Sequence, residues 1–532
     1  MRRELLVVFL AAVALYLPTA RYGFVQDDRA IVAANPAAHS IGAALKAFRD
    51  PYWPPESGAG LYRPVTILSF AIDWSVSAGR AGWLHIMNAL WHGLVTVLLV
   101  AVLARWLPAV AAAGAGLLFA WHPVHVEAVA GVVGRAELLA AAGILGAVLA
   151  ARRGWWAAAV LCAALAMFSK EHGVIAGVVI LLDRWLRPHP LAPSPFESPH
   201  PLSPSPSGRG GTEGRPYPLG LWIALVLVTS GFVVVWAIIG GAGASDDAAV
   251  FLGRNTLGRL AIALPAVLRA AVLLVWPASL SADYSPRVIP AYTGLSVAAV
   301  GGLCVIAAVV ALVIAGRKRV PAIAFGAAVA ALSYLPTSNL LFASGIVLAE
   351  RNLYLAAALP AALIGAGMAW LEARRGLRPA VAAGGLVAFA CGGLALARLP
   401  AWRDNRAHLL TLLAEHPESY LGHASAAAVL AGRGDTAGAR HQYRVADSLF
   451  AGDPYVDAAH AIFLLSVGDT AGAAPLVERI GARPAVAKSR VALRARFLYD
   501  LRRGDWTGAS AVADTARRRF PDEEIWYRAY LQ

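Results

Sequence analysis

The 532 residues are 58% hydrophobic and only 15% charged, where soluble domains carry roughly 25% charged residues. With apolar runs of about 18–22 residues recurring through the first three quarters of the chain, this composition excludes a single soluble enzyme, a secreted disulfide scaffold and a disordered chain. The net charge of +14 raises nucleic acid as a partner, but 17 Lys/Arg and 15 Asp/Glu follow residue 400, leaving 29 basic and 17 acidic residues among the apolar runs. Basic residues in that setting orient a membrane protein, so no nucleic-acid role is expected. Cys162, Cys304 and Cys391 sit inside apolar runs and form neither a disulfide framework nor a metal spacing.

In chain order, residues 1–20 read Arg2-Arg3 and then an apolar run. Pro18-Thr19-Ala20 is a poor cleavage site and more spans follow, so an uncleaved anchor is expected rather than a signal peptide. Residues 21–82 are polar for this chain and hold Asp27, Asp28, Arg29, Arg49, Asp50, Glu56, Arg63 and Asp73. Apolar runs then fall at 83–104, 107–121, 136–151, 155–168, 173–185, 219–239, 257–276, 293–315, 321–335, 353–371 and 379–397.

The basic clusters set the orientation. Arg2/Arg3, Arg105, Arg152/Arg153, Arg184/Arg187, Arg317/Lys318/Arg319 and Arg374/Arg375/Arg378 should all be cytoplasmic. Alternating spans satisfy every cluster only if one run does not cross. The run at 257–276 is the exception, because Arg254, Arg259 and Arg269 flank or interrupt it and Pro265 and Pro277 punctuate it. It is expected to be interfacial or re-entrant on the outer side. Eleven spans remain, and the C-terminal tail lies outside the cytoplasm.

Residues 188–218 contain ten prolines with Ser and Gly and are expected to be a disordered cytoplasmic linker. The tail repeats itself. Gly434-Asp435-Thr436-Ala437-Gly438-Ala439 recurs unchanged from Gly468 to Ala473 and returns as Gly504-Asp505-Trp506-Thr507-Gly508-Ala509. A period near 34 built from helix–turn–helix units is the tetratricopeptide (TPR) signature. Gly-Asp should make the turn, while Ala439, Ala473 and Ala509 allow close packing of the second helix. Tyr443 and Ala446 also fall where the pattern places Tyr and Ala. Three units after a leading helix at 401–415 should form a short solenoid. The chain thus divides into 1–187, 188–218, 219–400 and 401–532. The fold class is all-α, a polytopic transmembrane bundle followed by the solenoid.

Sorted by side, Asp27-Asp28, Arg63, His122/His125/Glu127, Arg135, Glu137, Lys170-Glu171-His172, Asp246-Asp247 and Glu350-Arg351 all fall at outer ends of spans. Ionisable groups at membrane level are costly and are functional candidates. Asp27-Asp28 can supply a general base, since one carboxylate raises the pKa of the other, or can simply start a solvated loop. His122-x-x-His125-x-Glu127 has ligand chemistry but no helical frame to make it a metal motif, and reads equally as a hydrogen-bonded turn. His85, Asn88 and His92 share one helix face and suit interhelical hydrogen bonds. Arg351 and Lys170 can each receive a phosphate, or pair with their neighbours Glu350 and Glu171.

At these residues a resemblance emerges. The order runs from Phe24-Val25-Gln26-Asp27-Asp28 through Tyr62-Arg63-Pro64-Val65-Thr66 and His85-x-x-Asn88-x-x-x-His92. It continues through Ala120-Trp121-His122-Pro123-Val124-His125-Val126-Glu127, Gly134-Arg135-Ala136-Glu137 and Ser169-Lys170-Glu171. Ala349-Glu350-Arg351-Asn352-Leu353-Tyr354-Leu355 and the repeats complete it. This resembles the transmembrane-and-TPR-containing protein O-mannosyltransferases and their bacterial relatives, within the GT-C glycosyltransferase superfamily. The resemblance implies a GT-C-type bundle in a bacterial inner membrane. It implies transfer of a sugar, mannose in the family, from a polyprenyl-phosphate carrier on the extracytoplasmic face. It maps the family's catalytic acidic pair onto Asp27 and Asp28. Ala349 stands where the family pattern carries Ser, and the repeat array is short.

An inverting transfer needs no enzyme nucleophile. Asp27 or Asp28 takes the proton of an acceptor Ser/Thr hydroxyl, and Arg351, Arg63, Arg135 or Lys170 offsets the leaving lipid phosphate. His122, His125, Glu127, Glu137, Glu171, Glu350 and Tyr354 line the same outer rim as candidates for substrate or lipid-phosphate binding. No cofactor beyond the lipid-linked donor is required, and a divalent metal is optional. The repeats would hold an acceptor polypeptide, and the bilayer is the other partner. The alternatives are an enzyme acting on a glycan or lipid acceptor, a non-enzymatic TPR scaffold and a transporter. A scaffold would need only one span, and a transporter would need polar residues midway along several.

Overall fold

The computed structural model describes residues 2–54, 60–186, 217–241, 248–483, 487 and 489–520, and every regular element among them is helical. The linker at 188–218, apart from its last two residues, and the Asp246-Asp247 pair lie outside the described residues. Each run expected to span is a helix. Among the described residues, eight helices are long and apolar enough to cross a bilayer, or nine if Ala109–Trp121 and Pro123–Ala130, bent by 51°, count as one. Trp156–Ser169 and Pro321–Thr337 are shorter apolar helices, and the run at 173–185 becomes a turn followed by the ten-residue helix Ala176–Trp185.

Burial separates core from rim. The Val132–Arg152 helix is 89% buried in the protein, while Leu219–Ile239 and Val297–Arg319 are each 11% buried and apolar all round, as lipid-facing helices should be. Small residues bring the central helices together, since the hydrophobic effect gives no drive between helices in lipid and close van der Waals packing supplies it. A Cβ on Gly143 would lie 2.6 Å from the Cys162 carbonyl oxygen, so a side chain there would force the Arg135–Arg152 and Trp156–Ser169 helices apart. Ala159, Ala163 and Ala166 are fully buried on the facing helix.

The basic hairpins gather at one end. Arg152 pairs with buried Asp183, Arg105 lies 3.9 Å from the same carboxylate, and Arg317 stacks 4.1 Å over Trp185. The opposite end carries the ionisable rim. The Thr256–Val275 helix has the length of a span, yet both its termini meet this rim end. At its start Arg254 donates to the Tyr292 carbonyl and Arg259 to the Asn339 carbonyl. At its finish the Leu274 carbonyl contacts His122 Nε2 at 3.1 Å and Arg269 donates to the Ser279 carbonyl. Pro265 sits inside it without a break.

The polar 21–82 region holds a helix that its composition hides, Pro64–Ser77, started by Pro64 in its first turn. It buries Ile67, Phe70 and Ala71 against Ile31, Val32, Ala44 and Leu84, making a small second core on the rim.

The tail forms three helical hairpins, Tyr420–Gly432 with Thr436–Leu449, Pro454–Ser466 with Thr470–Gly481, and Arg490–Arg502 with Trp506–Arg519. Each Gly-Asp turn works by two separate effects. Gly434, Gly468 and Gly504 have φ of 82°, 82° and 72°, left-handed backbone that favours glycine. Asp435, Asp469 and Asp505 then cap the second helix, accepting from the N–H of Gly438, Gly472 and Gly508 at 2.8 Å each. That cap explains the second glycine of the repeat: a Cβ on Gly438 would sit 2.4 Å from the Asp435 carboxylate. Ala439, Ala473 and Ala509 are buried at the hairpin crossings. Asp435→Ala should therefore weaken the Thr436–Leu449 helix by about 1 kcal/mol, read as roughly fivefold faster amide exchange confined to that hairpin.

Candidate functional site

The site lies on the rim, where 21–35, 121–135, 169–176 and 335–355 meet. Its floor is the turn that follows the bend at His122. A helix that ends inside a protein leaves backbone groups without partners, and polar side chains from other helices supply them. Asn88 Nδ2 donates to the carbonyls of Val129, Gly131 and Val132 at 3.0–3.4 Å. Asp28 accepts from the Val133 N–H at 2.8 Å and from the Val25 N–H at 3.1 Å. His125 Nε2 meets the Tyr354 carbonyl at 3.0 Å, and His92 bridges the Tyr354 hydroxyl and the Ala120 carbonyl. His85 contacts the Gly23 carbonyl at 3.2 Å. The interhelical role expected of His85, Asn88 and His92 is the one seen.

Most charged residues of the rim are buried and paired over long sequence distances. Arg135 is 1% exposed. It donates to Asp73, to Asn88 Oδ1 at 2.8 Å and to the Leu84 carbonyl at 2.9 Å, and packs over Phe70. Lys170 pairs with Glu137 and donates to Asn352 Oδ1 at 3.2 Å. Arg63 forks onto Glu171 through Nε and Nη2 and lies over the Tyr52 ring. Burial raises the Glu171 carboxyl, but Arg63 outweighs it and holds the group below its ordinary range. Burial draws Lys170 below its ordinary value.

Asp27 and Arg351 differ from these. Their side chains are 32% and 29% exposed and face each other across 3.6 Å, too far for a tight ion pair. Glu127, nearly buried, lies 3.2 Å from Arg351 Nη1 and accepts from the Arg351 backbone N–H at 2.9 Å. The result is an accessible carboxylate and an accessible guanidinium side by side, with Arg63, Arg135 and Lys170 turned toward partners.

Several sequence expectations change accordingly. Asp27 and Asp28 are not equivalent: Asp28 is fully buried, and burial pushes its carboxyl up to about 7 against the backbone donors of Val133, Val25 and Val132. Arg135, offered as a phosphate ligand, has its donors occupied inside the protein. His122, His125 and Tyr354 belong to the floor, each engaged with backbone or ring groups. Glu350 does not pair with Arg351. It turns away, accepting from the Ser281 N–H at 2.6 Å and the Tyr284 hydroxyl at 2.8 Å. Lys170 likewise pairs with Glu137 rather than adjacent Glu171. Among the described residues, no group of three His, Cys, Asp or Glu side chains is placed to hold a metal.

Ser281 and Tyr284 carry no signal in the sequence, and the partners of Gln26, Asp73 and Asn352 lie too far along the chain to be read from it. Gln26 has φ of 48°, a conformation costing a non-glycine residue roughly 1 kcal/mol or more. Its position directly before the acidic pair was the available signal.

Fold and site together define a polytopic helical membrane protein with an ionisable cluster at one end of the bundle. The chain is similar to protein O-mannosyl-transferases. Tmtc2 of Drosophila melanogaster is 42% identical over 135 residues, 24% of this chain and 14% of that protein. TMTC4 of Homo sapiens is 30% identical over 341 residues, 55% of this chain and 45% of that protein. F38B6.6 of Caenorhabditis elegans is 26% identical over 372 residues, 67% of this chain and 50% of that protein. The chain thus spans half or less of each relative's length. A solved structure, ArnT from Cupriavidus metallidurans bound to undecaprenyl phosphate, aligns with a TM-score of 0.34 at 15% identity, covering 78% of this chain and 80% of that one. No family model matches.

Glu350 offers a pH test. Burial pushes its carboxyl from 4.5 up to about 8, with Arg398 opposing and Glu127 assisting. A carboxyl whose folded pKa is raised favours the folded state below its unfolded pKa and loses that contribution as pH rises through the folded pKa. The unfolding temperature should therefore contain a component that falls between pH 5 and 8. Glu350→Gln, which keeps an acceptor for Ser281 and Tyr284 but does not titrate, should remove that component in a thermal-shift series.

Proposed function

We propose that this chain is an inverting GT-C-type glycosyltransferase. It moves a sugar, mannose by analogy with its relatives' names, from a polyprenyl-phosphate carrier to Ser/Thr hydroxyls of an acceptor protein. The observation that carries the reading is the accessible Asp27–Arg351 pair beside three ion pairs turned inward, Arg63–Glu171, Arg135–Asp73 and Lys170–Glu137. Asp27 accepts the proton as the acceptor oxygen attacks the anomeric carbon. The new glycosidic bond forms as the bond to the lipid-phosphate oxygen breaks, and the phosphate leaves with its charge opposed by Arg351. Glu127 holds Arg351 through backbone and side chain. Arg63 and Lys170 border the pocket and add positive potential from within their own ion pairs. Asp28 positions Asp27 by fixing the turn at Val133.

The rim and tail face the extracytoplasmic side in this reading, which is supported by the basic hairpins at the opposite end. The concave face of the tail then offers a track for the acceptor polypeptide.

Asp27→Asn should lower transfer from a polyprenyl-phosphate sugar to a Ser/Thr peptide by about 10²–10⁴-fold in reconstituted membranes, with unchanged protein yield. Asp28→Asn should instead lower yield and thermal stability, because one oxygen of the pair that binds Val25 and Val133 is replaced by a donor. Full transfer by Asp27→Asn would sink the assignment. The two arginines should separate in the same way. Arg351→Lys, which keeps a cation beside Glu127, should retain the fold and lower transfer. Arg135→Ala should fail to accumulate, since it leaves Asp73 buried and unpaired, at a cost of about 3–5 kcal/mol.

A further inference from the structure

The loop bearing Asp27 does not hold itself. Gln26 occupies left-handed backbone, φ 48°, and its bonds reach nearly 400 residues along the chain. Its N–H donates to Asn405 Oδ1 at 2.8 Å, and its side-chain amide donates to His408 Nε2 at 2.6 Å. Just before it, the Gly23 N–H donates to the Arg403 carbonyl at 3.0 Å. Asn405 and His408 stand three apart on the first helix of the tail, Asn405–Glu415, and so share one face. His408 is 3% exposed and packed edge-on to Trp402.

A second arm reaches the other side of the pocket. Arg287, also in left-handed backbone at φ 86°, donates to the Leu449 carbonyl at 2.8 Å. Ser419 donates to Asp283 at 2.5 Å. Between these contacts and the pocket, Ser281 and Tyr284 hold Glu350, the neighbour of Arg351. Two strained non-glycine residues thus coincide with the two places where the tail grips the rim. Strain of this kind persists only where surrounding contacts fix it.

We infer that Asn405 and His408 are positioning residues for the transfer: through Gln26 they hold the backbone so that Asp27 faces Arg351 and the pocket. The tail is then part of the catalytic geometry as well as a surface for the acceptor. This inference rests on the reading of Asp27 as the base.

The test uses the full chain in nanodiscs, with two readouts. Amide exchange of the 22–30 segment reports the clamp whatever the substrate. Steady-state transfer from a polyprenyl-phosphate sugar to a Ser/Thr peptide reports its consequence. Asn405→Ala and Gln26→Ala should raise exchange in 22–30 and lower kcat by about tenfold or more, with donor KM within about twofold. Asn405→Asp, which keeps the acceptor oxygen, should restore both. Arg440→Ala, which removes only the Arg440–Asp469 pair inside the tail, should change neither. Unchanged exchange in Asn405→Ala would overturn the clamp. Raised exchange with unchanged kcat would overturn the positioning role. Failure of the underlying reading would show separately, as retained transfer in Asp27→Asn.

Discussion

The constraint on which this structure turns is the cost of placing charge inside a low-dielectric bundle. An ion buried without a partner is penalised by several kcal/mol, so the buried rim cations have each recruited a carboxylate, while the buried carboxyls of Asp28 and Glu350 are met by backbone and hydroxyl donors. Arg135 takes Asp73 and Asn88, Lys170 takes Glu137, and Arg63 takes Glu171. These pairs lock the short helical turns between spans, segments with too few backbone bonds of their own to stay fixed. The accessible remainder is the functional candidate. Asp27 and Arg351 are close enough to attract and too far apart to neutralise one another fully, so each keeps capacity for a substrate.

The same economy explains the tail. A solenoid of three hairpins needs a covered first helix, and here the Asn405–Glu415 helix is covered by the rim. The junction is reinforced by Arg398, nearly buried, on Glu415. The bundle end and the repeat array are therefore one continuous polar assembly above an apolar body, and the loop bearing Asp27 lies at their seam.

Local patterns were legible in the sequence, and long-range pairing was not. The hairpins of the tail follow from the spacing of Gly434, Gly468 and Gly504 because the turn, the cap and the close approach are all made within six residues. The apolar helices, eight or nine of them span-length among the described residues, follow from apolar run length. At 257–276 the two signals diverge: Arg254, Arg259 and Arg269 argue against a crossing, while the helix has the length and apolarity of a span. The distinction between Asp27 and Asp28 could not be read, because it depends on which of two adjacent carboxylates meets Val133, more than a hundred residues away. For the same reason, adjacency suggested Glu350–Arg351 and Lys170–Glu171 as pairs. Both pairs are broken in favour of partners that only the folded rim supplies.

The order of events in the proposed transfer is implicit in the charge balance around Arg351. One guanidinium faces two carboxylates, Asp27 and Glu127. Glu127 holds it by a backbone hydrogen bond as well as by charge, whereas Asp27 holds it only at a distance. A lipid phosphate arriving at Arg351 would compete first with the weaker of these contacts. As Arg351 turns toward the phosphate, Asp27 would be released from the guanidinium and left free to accept a hydrogen bond from the acceptor hydroxyl. In the proposed transfer, donor binding would thus come before the acceptor oxygen is engaged, so that a sugar is in place to receive it.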